Sequence, residues 1–153
     1  EQLIISWLEA SLEKFDVVIV ADFGNGFISE RMVQVLSAQA HYLAVNAQTN
    51  SGNRGYHLIT RYPHADFISL NEPELRMATH DRKSELTQLA EQITKQLQAK
   101  NIAVTRGTQG AIIFNDVTKQ HLSVPALSSN VVDRIGAGDA FLSLAGLCLG
   151  KNI

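Results

Sequence analysis

The chain has 153 residues, enough for about one domain. Its 45 % hydrophobic and 18 % charged content suits a packed core and excludes a disordered tail or a coiled coil. Thirteen basic against fifteen acidic side chains leave a net charge of −2, with no basic excess to hold nucleic acid or an anionic membrane surface.

Glu1-Gln2-Leu3 already lies inside a helical pattern and carries no Met, so the chain is expected to be a piece cut from a larger protein. Ile4, Trp7, Leu8, Leu12 and Phe15 recur at helical spacing. Residues 15–21 read FDVVIVA, a β-branched run apolar on both faces, as in a buried parallel strand. Asp22-Phe23-Gly24-Asn25-Gly26 follows as a loop. Ser29 is placed as the N-cap of a helix through Ala40, with Met32, Val33, Leu36 and Ala40 on one face. A second strand covers 42–46. The polar connection 47–65 is long enough to imply a function or local structure of its own. A third strand ends near Leu70, and a short helix follows Asn71. The clearest helix spans 84–100, with Leu86, Leu89, Ala90, Ile93 and Leu97 on one stripe. A fourth strand follows, and 111–115 with 120–124 flank Asp116-Val117-Thr118-Lys119 as a hairpin. From Ala137 the chain is helical to about Leu149. This last stretch, 140–150, is the longest nearly uncharged run and falls far short of the ~20 residues of a membrane span. The lone Cys148 excludes a disulfide framework and a Cys-rich zinc site. It reads as a small buried apolar residue and fits a reducing, cytoplasmic compartment.

Strands alternate with helices, which predicts an α/β layer architecture. The parallel strands are expected near 16–21, 42–46, 66–70 and 102–106, with a hairpin over 111–124. Ligands of such sheets bind at the carboxyl ends of the strands.

The strongest chemical feature is the run from Val132 to Phe141, VDRIGAGDAF. Gly136 and Gly138 let the backbone turn tightly and approach a ligand. The helix that starts here leaves amides without intrahelical partners, and with the helix dipole they form an anion site. Asp139, in the first turn, can cap the helix or accept a proton from a hydroxyl. A plain glycine turn is the other reading. Asn71-Glu72-Pro73-Glu74 has the spacing of a capping box with Pro in the first turn. Thr105 to Gly110 is a glycine turn at a strand end. Asp22-Phe23-Gly24 lacks the companion motifs of a protein kinase, and Gly24-Asn25-Gly26 lacks the third glycine and the distal acid of a dinucleotide fingerprint. Arg54, His57, Arg61 and His64 read either as a solvated loop or as contacts to a sugar phosphate. His41, His80 and His121 show no metal-ligand spacing.

Asp133 to Asp139 resembles the second signature of the ribokinase-like (PfkB) carbohydrate kinases, usually Asp-Thr-Thr-Gly-Ala-Gly-Asp, with Arg134 and Ile135 departing from the Thr pair. Val104 to Ala111 is similar to that family's nucleotide strand and turn, and Asn71 to Glu74 to its Asn-x-x-Glu motif. The three occur in family order and cover nearly the whole chain, as the second half of the family's domain. The resemblance implies a three-layer ribokinase-like fold and ATP-dependent phosphoryl transfer to a hydroxyl of a sugar or sugar phosphate. It makes Asp139 the catalytic base and the amides of Gly136, Ala137 and Gly138 the anion hole. It gives Asn71 and Glu74 to Mg²⁺ through water, and Thr105, Arg106, Gly107 and Gly110 to the nucleotide. It also puts Asp133 beside a monovalent cation such as K⁺. Asp22 to Gly26, Thr105-Arg106 and Gln109-Gly110 lean towards the heptose-phosphate kinase branch, which implies that Asp22 and Asn25 face substrate or phosphates. Asn46-Ala47-Gln48 departs from that branch's Asp-Pro-Lys-like segment. A non-catalytic nucleotide- or sugar-binding module and a nucleoside or vitamin kinase are the alternatives. The implied partner is a small sugar, with neither nucleic acid nor membrane. A second copy, making a homodimer, is expected at the exposed edge of the N-terminal strand. The family draws sugar and adenine contacts from residues before Glu1 and after Ile153, so the piece alone is expected to keep its anion site and lack kinase activity.

Overall fold

The four parallel strands are five residues each and apolar on both faces, so each needs a cover on either side. The computed structural model describes residues 1–53, 55–126 and 136–151. Its strands are β1 (Val18–Asp22), β2 (Leu43–Ala47), β3 (Phe67–Asn71), β4 (Asn101–Thr105), β5 (Ala111–Asn115) and β6 (Gln120–Val124). They form one sheet in sequence order, with β1 to β4 parallel and β5 and β6 antiparallel. The helices among the described residues are α1 (Gln2–Ser11), α2 (Glu30–Gln39), α3 (Glu72–Thr79), α4 (Leu86–Gln96) and α5 (Ala137–Gly150).

Alternation along the strands divides the core in two. Val20, Leu43, Val45, Ile68, Leu70, Ile102 and Val104 face α1 to α4 in the larger cluster. Ala44, Phe67 and Ala103 face the other way, against Leu142 of α5, with Ile19 and Phe141 packed around them. This is the expected three-layer α/β arrangement. β1 forms one edge of the sheet among the described residues.

Several local expectations shift. Strands β1 to β3 end one residue later than predicted, so Asp22 and Asn71 are the last strand residues. Helix α4 is shorter than 84–100. At its start the Ser84 amide and hydroxyl are engaged by Asp81, and Gln98 ends the helical path at φ 53°. The apolar stripe of α1 is only partly covered. Ile5 and Leu12 are buried, whereas Trp7 is 58 % exposed and tilts against an exposed Phe15. Helix α1 packs on α2, and its remaining apolar side faces solvent. Cys148, expected to be buried, is exposed on α5. The 47–65 connection contains a 3-10 turn, Ile59–Arg61, and buries Ile59, Tyr62 and Ala65 on the α1–α4 side, where a crossover helix would otherwise lie.

Because so few side chains hold α5 to the sheet, Leu142 carries much of that layer. Leu142→Ala is expected to lower the unfolding free energy by about 2–5 kcal/mol. Urea denaturation should show a lower midpoint with an unchanged slope.

Candidate active site at the carboxyl end of the sheet

The face that packs on α5 turns polar at the strand ends. Two residues beyond Ala44, Phe67 and Ala103, the same face presents Asn46, Ser69 and Thr105, with Asn71 next along β3. These residues floor a cleft whose opposite wall is the start of α5, Gly136 to Asp139. Residues from three predicted motifs therefore meet here, although they are far apart in sequence.

The Asn71–Glu74 motif is a complete capping box. Asn71 Oδ1 accepts from the Glu74 amide at 2.8 Å, and Glu74 Oε2 accepts from the Asn71 amide at 3.0 Å. Glu74 Oε1 accepts a further amide, that of Thr49, at 3.1 Å. Burial pushes the Glu74 carboxyl above the usual carboxylate range, against the downward pull of the Asn71 and Thr49 bonds. Both its oxygens hold backbone amides, so a metal would meet it through water, as Mg²⁺ commonly does. No group of three or more His, Cys, Asp or Glu gathers at metal-ligand distance among the described residues. Beside the box, Asn46 is buried. Its Nδ2 donates to the Ser69 carbonyl at 2.7 Å, and its Oδ1 has no partner among the described residues.

Helix α5 starts on Gly136 at φ 80°, a conformation that favours glycine, and no side chain caps it. The space where a Cβ would stand on Gly136 and Gly138 is open. A phosphate group fits that cradle by the same physics that fills other helix starts with anions. Asp139 is half-buried in the first turn, and its Oδ1 accepts from Gln48 Nε2 at 3.2 Å. Asp133, with Arg134 and Ile135, lies outside the described residues.

The Thr105–Gly110 segment closes as a tight turn, with Gly107–Gln109 in 3-10 form and the Arg106 amide donating to the Gly110 carbonyl at 2.8 Å. Gly110 sits at φ 82°, and a side chain there would run into the Val124 carbonyl. Thr105, Arg106, Gly107 and Gly110 all line the cleft. Arg106 Nε lies 3.4 Å from Glu72, which also binds Arg76 at 2.9 Å.

Asp22 does not face the cleft. It is 2 % exposed. Its Oδ2 accepts from Arg61 at 2.7 Å and from the Tyr62 hydroxyl at 2.8 Å, and its Oδ1 from the Gly24 amide at 3.2 Å. His57 Nε2 approaches Oδ1 to 3.0 Å without the alignment of a hydrogen bond. Burial first, and then Asp22, push the Tyr62 phenol well above its ordinary range. His57 and Arg61 are thus neither a solvated loop nor contacts at the cleft. They tie the 47–65 connection to β1. His64 pairs with Asp66 at 3.6 Å, and Arg54 lies outside the described residues. Asn25 is exposed, and its side chain accepts from the Phe27 amide.

Sequence reasoning had no role for Gln48, for the Thr49 amide or for Glu72. Gln48 stood out only as a departure from an expected segment.

Comparison with known proteins gives the chain a family. The pfkB family carbohydrate kinase profile matches residues 2–152, and the chain belongs to that family. The bifunctional protein HldE of Magnetococcus marinus is 30 % identical over 140 residues, covering 90 % of this chain and 28 % of HldE. The D-beta-D-heptose 7-phosphate kinase of Bordetella bronchiseptica is 29 % identical over 134 residues, covering 86 % of this chain and 41 % of that kinase. Phosphofructokinase-2 from Escherichia coli, in a potassium complex, superposes with a TM-score of 0.74 at 18 % identity over 97 % of this chain and 49 % of its own. Arabidopsis thaliana ribokinase, complexed with ribose and ATP, gives a TM-score of 0.70 at 16 % identity, covering 99 % and 47 %. The chain therefore spans under a third of HldE and about half of each solved kinase, whose likeness establishes the ribokinase-like fold. No helix among the described residues is long and apolar enough to cross a membrane.

The capping box makes a prediction independent of any ligand. Asn71→Ala is expected to cost about 0.5–2 kcal/mol in thermal or chemical unfolding, while Asn71→Ser keeps an acceptor and most of that stability.

Proposed function

We propose that residues 1–153 are the C-terminal part of a PfkB-type kinase domain that moves the γ-phosphoryl group of ATP to a hydroxyl of a sugar phosphate. The observation that carries this reading is Asp139, placed in the first turn of a helix whose glycine start opens on the cleft. ATP when bound supplies the phosphoryl group, and Mg²⁺ supplies charge neutralisation at its oxygens. In this reading Asp139 orients the acceptor hydroxyl and takes its proton. The amides of Gly136, Ala137 and Gly138 donate to the phosphoryl oxygens as negative charge spreads over them. Asn71 and Glu74 hold water ligands of Mg²⁺, while Thr105, Arg106, Gly107 and Gly110 line the nucleotide side. A K⁺ contact at Asp133 belongs to the same proposal. The names of the relatives favour heptose 7-phosphate as acceptor. A homodimer through the edge of β1 is the proposed assembly, and a cytoplasmic setting suits ATP chemistry.

Two measurements test this. Intact protein carrying the chain is assayed for ADP release from ATP and Mg²⁺ with heptose 7-phosphate, fructose 6-phosphate, ribose and a nucleoside. Turnover is expected with a sugar phosphate, while turnover on the nucleoside alone, or on none of the four, overturns the reading. Asp139→Asn is expected to lower kcat by roughly 10²–10⁴-fold with ATP binding retained. A polypeptide limited to residues 1–153 is expected to show negligible turnover beside the intact protein, because half a cleft cannot hold both substrates in reactive geometry.

A further inference from the structure

The Gln48–Asp139 contact joins residues 91 apart in sequence, across the two walls of the cleft. A carboxylate only accepts, so the amide nitrogen of Gln48 is the end that faces it. Gln48 itself stands on a fixed frame. Its backbone N–H donates to the Asp22 carbonyl at 2.8 Å, and its carbonyl accepts from Asn53 Nδ2 at 3.3 Å. The next amide, that of Thr49, is held by the buried Glu74. The 47–65 connection is pinned in turn through Asp22 to Arg61 and Tyr62. The side chain that reaches Asp139 therefore comes from a residue whose backbone N–H and C=O are both engaged.

We infer that Gln48 is a positioning residue for Asp139: its amide holds Oδ1 and so turns Oδ2 towards the acceptor hydroxyl. The inference rests on the reading of Asp139 as base. A neutral donor suits the task. A cation at the same distance would bring a full positive charge against the carboxylate and favour its ionised form more than a neutral amide does. Holding one oxygen also removes a rotameric freedom that would otherwise be lost at each turnover.

The test uses intact protein with ATP, Mg²⁺ and the acceptor that turns over fastest in the panel above. Gln48→Met keeps the length and half-buried packing and deletes the donor. Its kcat is expected to fall roughly 10- to 100-fold, the worth of one hydrogen bond to a charged group, with both KM values unchanged. Gln48→Glu sets a second carboxylate against Asp139 and is expected to fall further. Without any ligand, the Gln48 side-chain amide signal in ¹⁵N-edited NMR is expected to move in Asp139→Ala. If both Gln48 variants keep kcat while Asp139→Asn is inactive, the inference is overturned and the assignment of the base stands. If Asp139→Asn keeps full turnover, the base assignment fails and takes this inference with it. Loss expressed in KM with kcat intact, or an unmoved Gln48 amide signal, also overturns the inference.

Discussion

One buried carboxylate holds the working end of this sheet together. Glu74 is nearly fully buried, and its two oxygens accept amides from separate segments, Asn71 at the end of β3 and Thr49 just beyond β2. A carboxylate so deeply placed is costly to desolvate, as its upward pKa shift records. What offsets the cost is that each oxygen satisfies an amide that would otherwise be orphaned at a helix start or in a loop. The consequence is geometric. The connection after β2 is locked to the first turn of α3, and so Gln48, one residue before Thr49, projects from a fixed point towards α5.

Asp22 does comparable work at the end of β1. It gathers a guanidinium, a phenol and an amide from the chain that follows it, closing the long connection onto β1. Breaking such a buried pair by removing one partner typically costs about 3–5 kcal/mol, because the remaining charge is stranded. The two carboxylates thus divide the labour along the connection. Asp22 points towards α1 to α4 and fixes where the connection runs. Glu74 fixes its junction with α3. With the oxygens of both taken up by the frame, Glu72 and Asp139 remain as the half-buried carboxylates that line the cleft among the described residues.

What could be read from the sequence follows from the range of each interaction. The capping box acts over three residues, and the glycine start of α5 over four, so both were legible as local spacing. The strand and helix order followed from periodicity, and the motif resemblance added the family. The Gln48–Asp139 and Asp22–Arg61 contacts span 91 and 39 residues, and no local pattern marks them. Asp22 was misjudged for a physical reason. An acidic residue beside glycines after a strand looks the same whether its side chain turns to the cleft or under the sheet, and only alternation carried one residue further, with Asp22 inside β1, decides it. Trp7 and Cys148 mark the same limit. Helical spacing defines a stripe or an apolar run but not what, if anything, covers it.

The helix starts differ in how their first amides are held. Helix α2 is capped by Ser29, and α3 by Asn71, each side chain accepting an amide of the first turn. Helix α5 begins on Gly136, which has no side chain to offer. Replacing a good capping residue by glycine costs a helix only a few tenths of a kcal/mol, because water reaches the bare amides. The gain is that those amides stay free for an anion and that the backbone can approach it closely. An Asn or Ser at position 136 would offer an acceptor to the first-turn amides and put a side chain into space that is now open. At the cleft, then, Asn71 closes the start of α3, while the start of α5 is left open in the way that suits an anion.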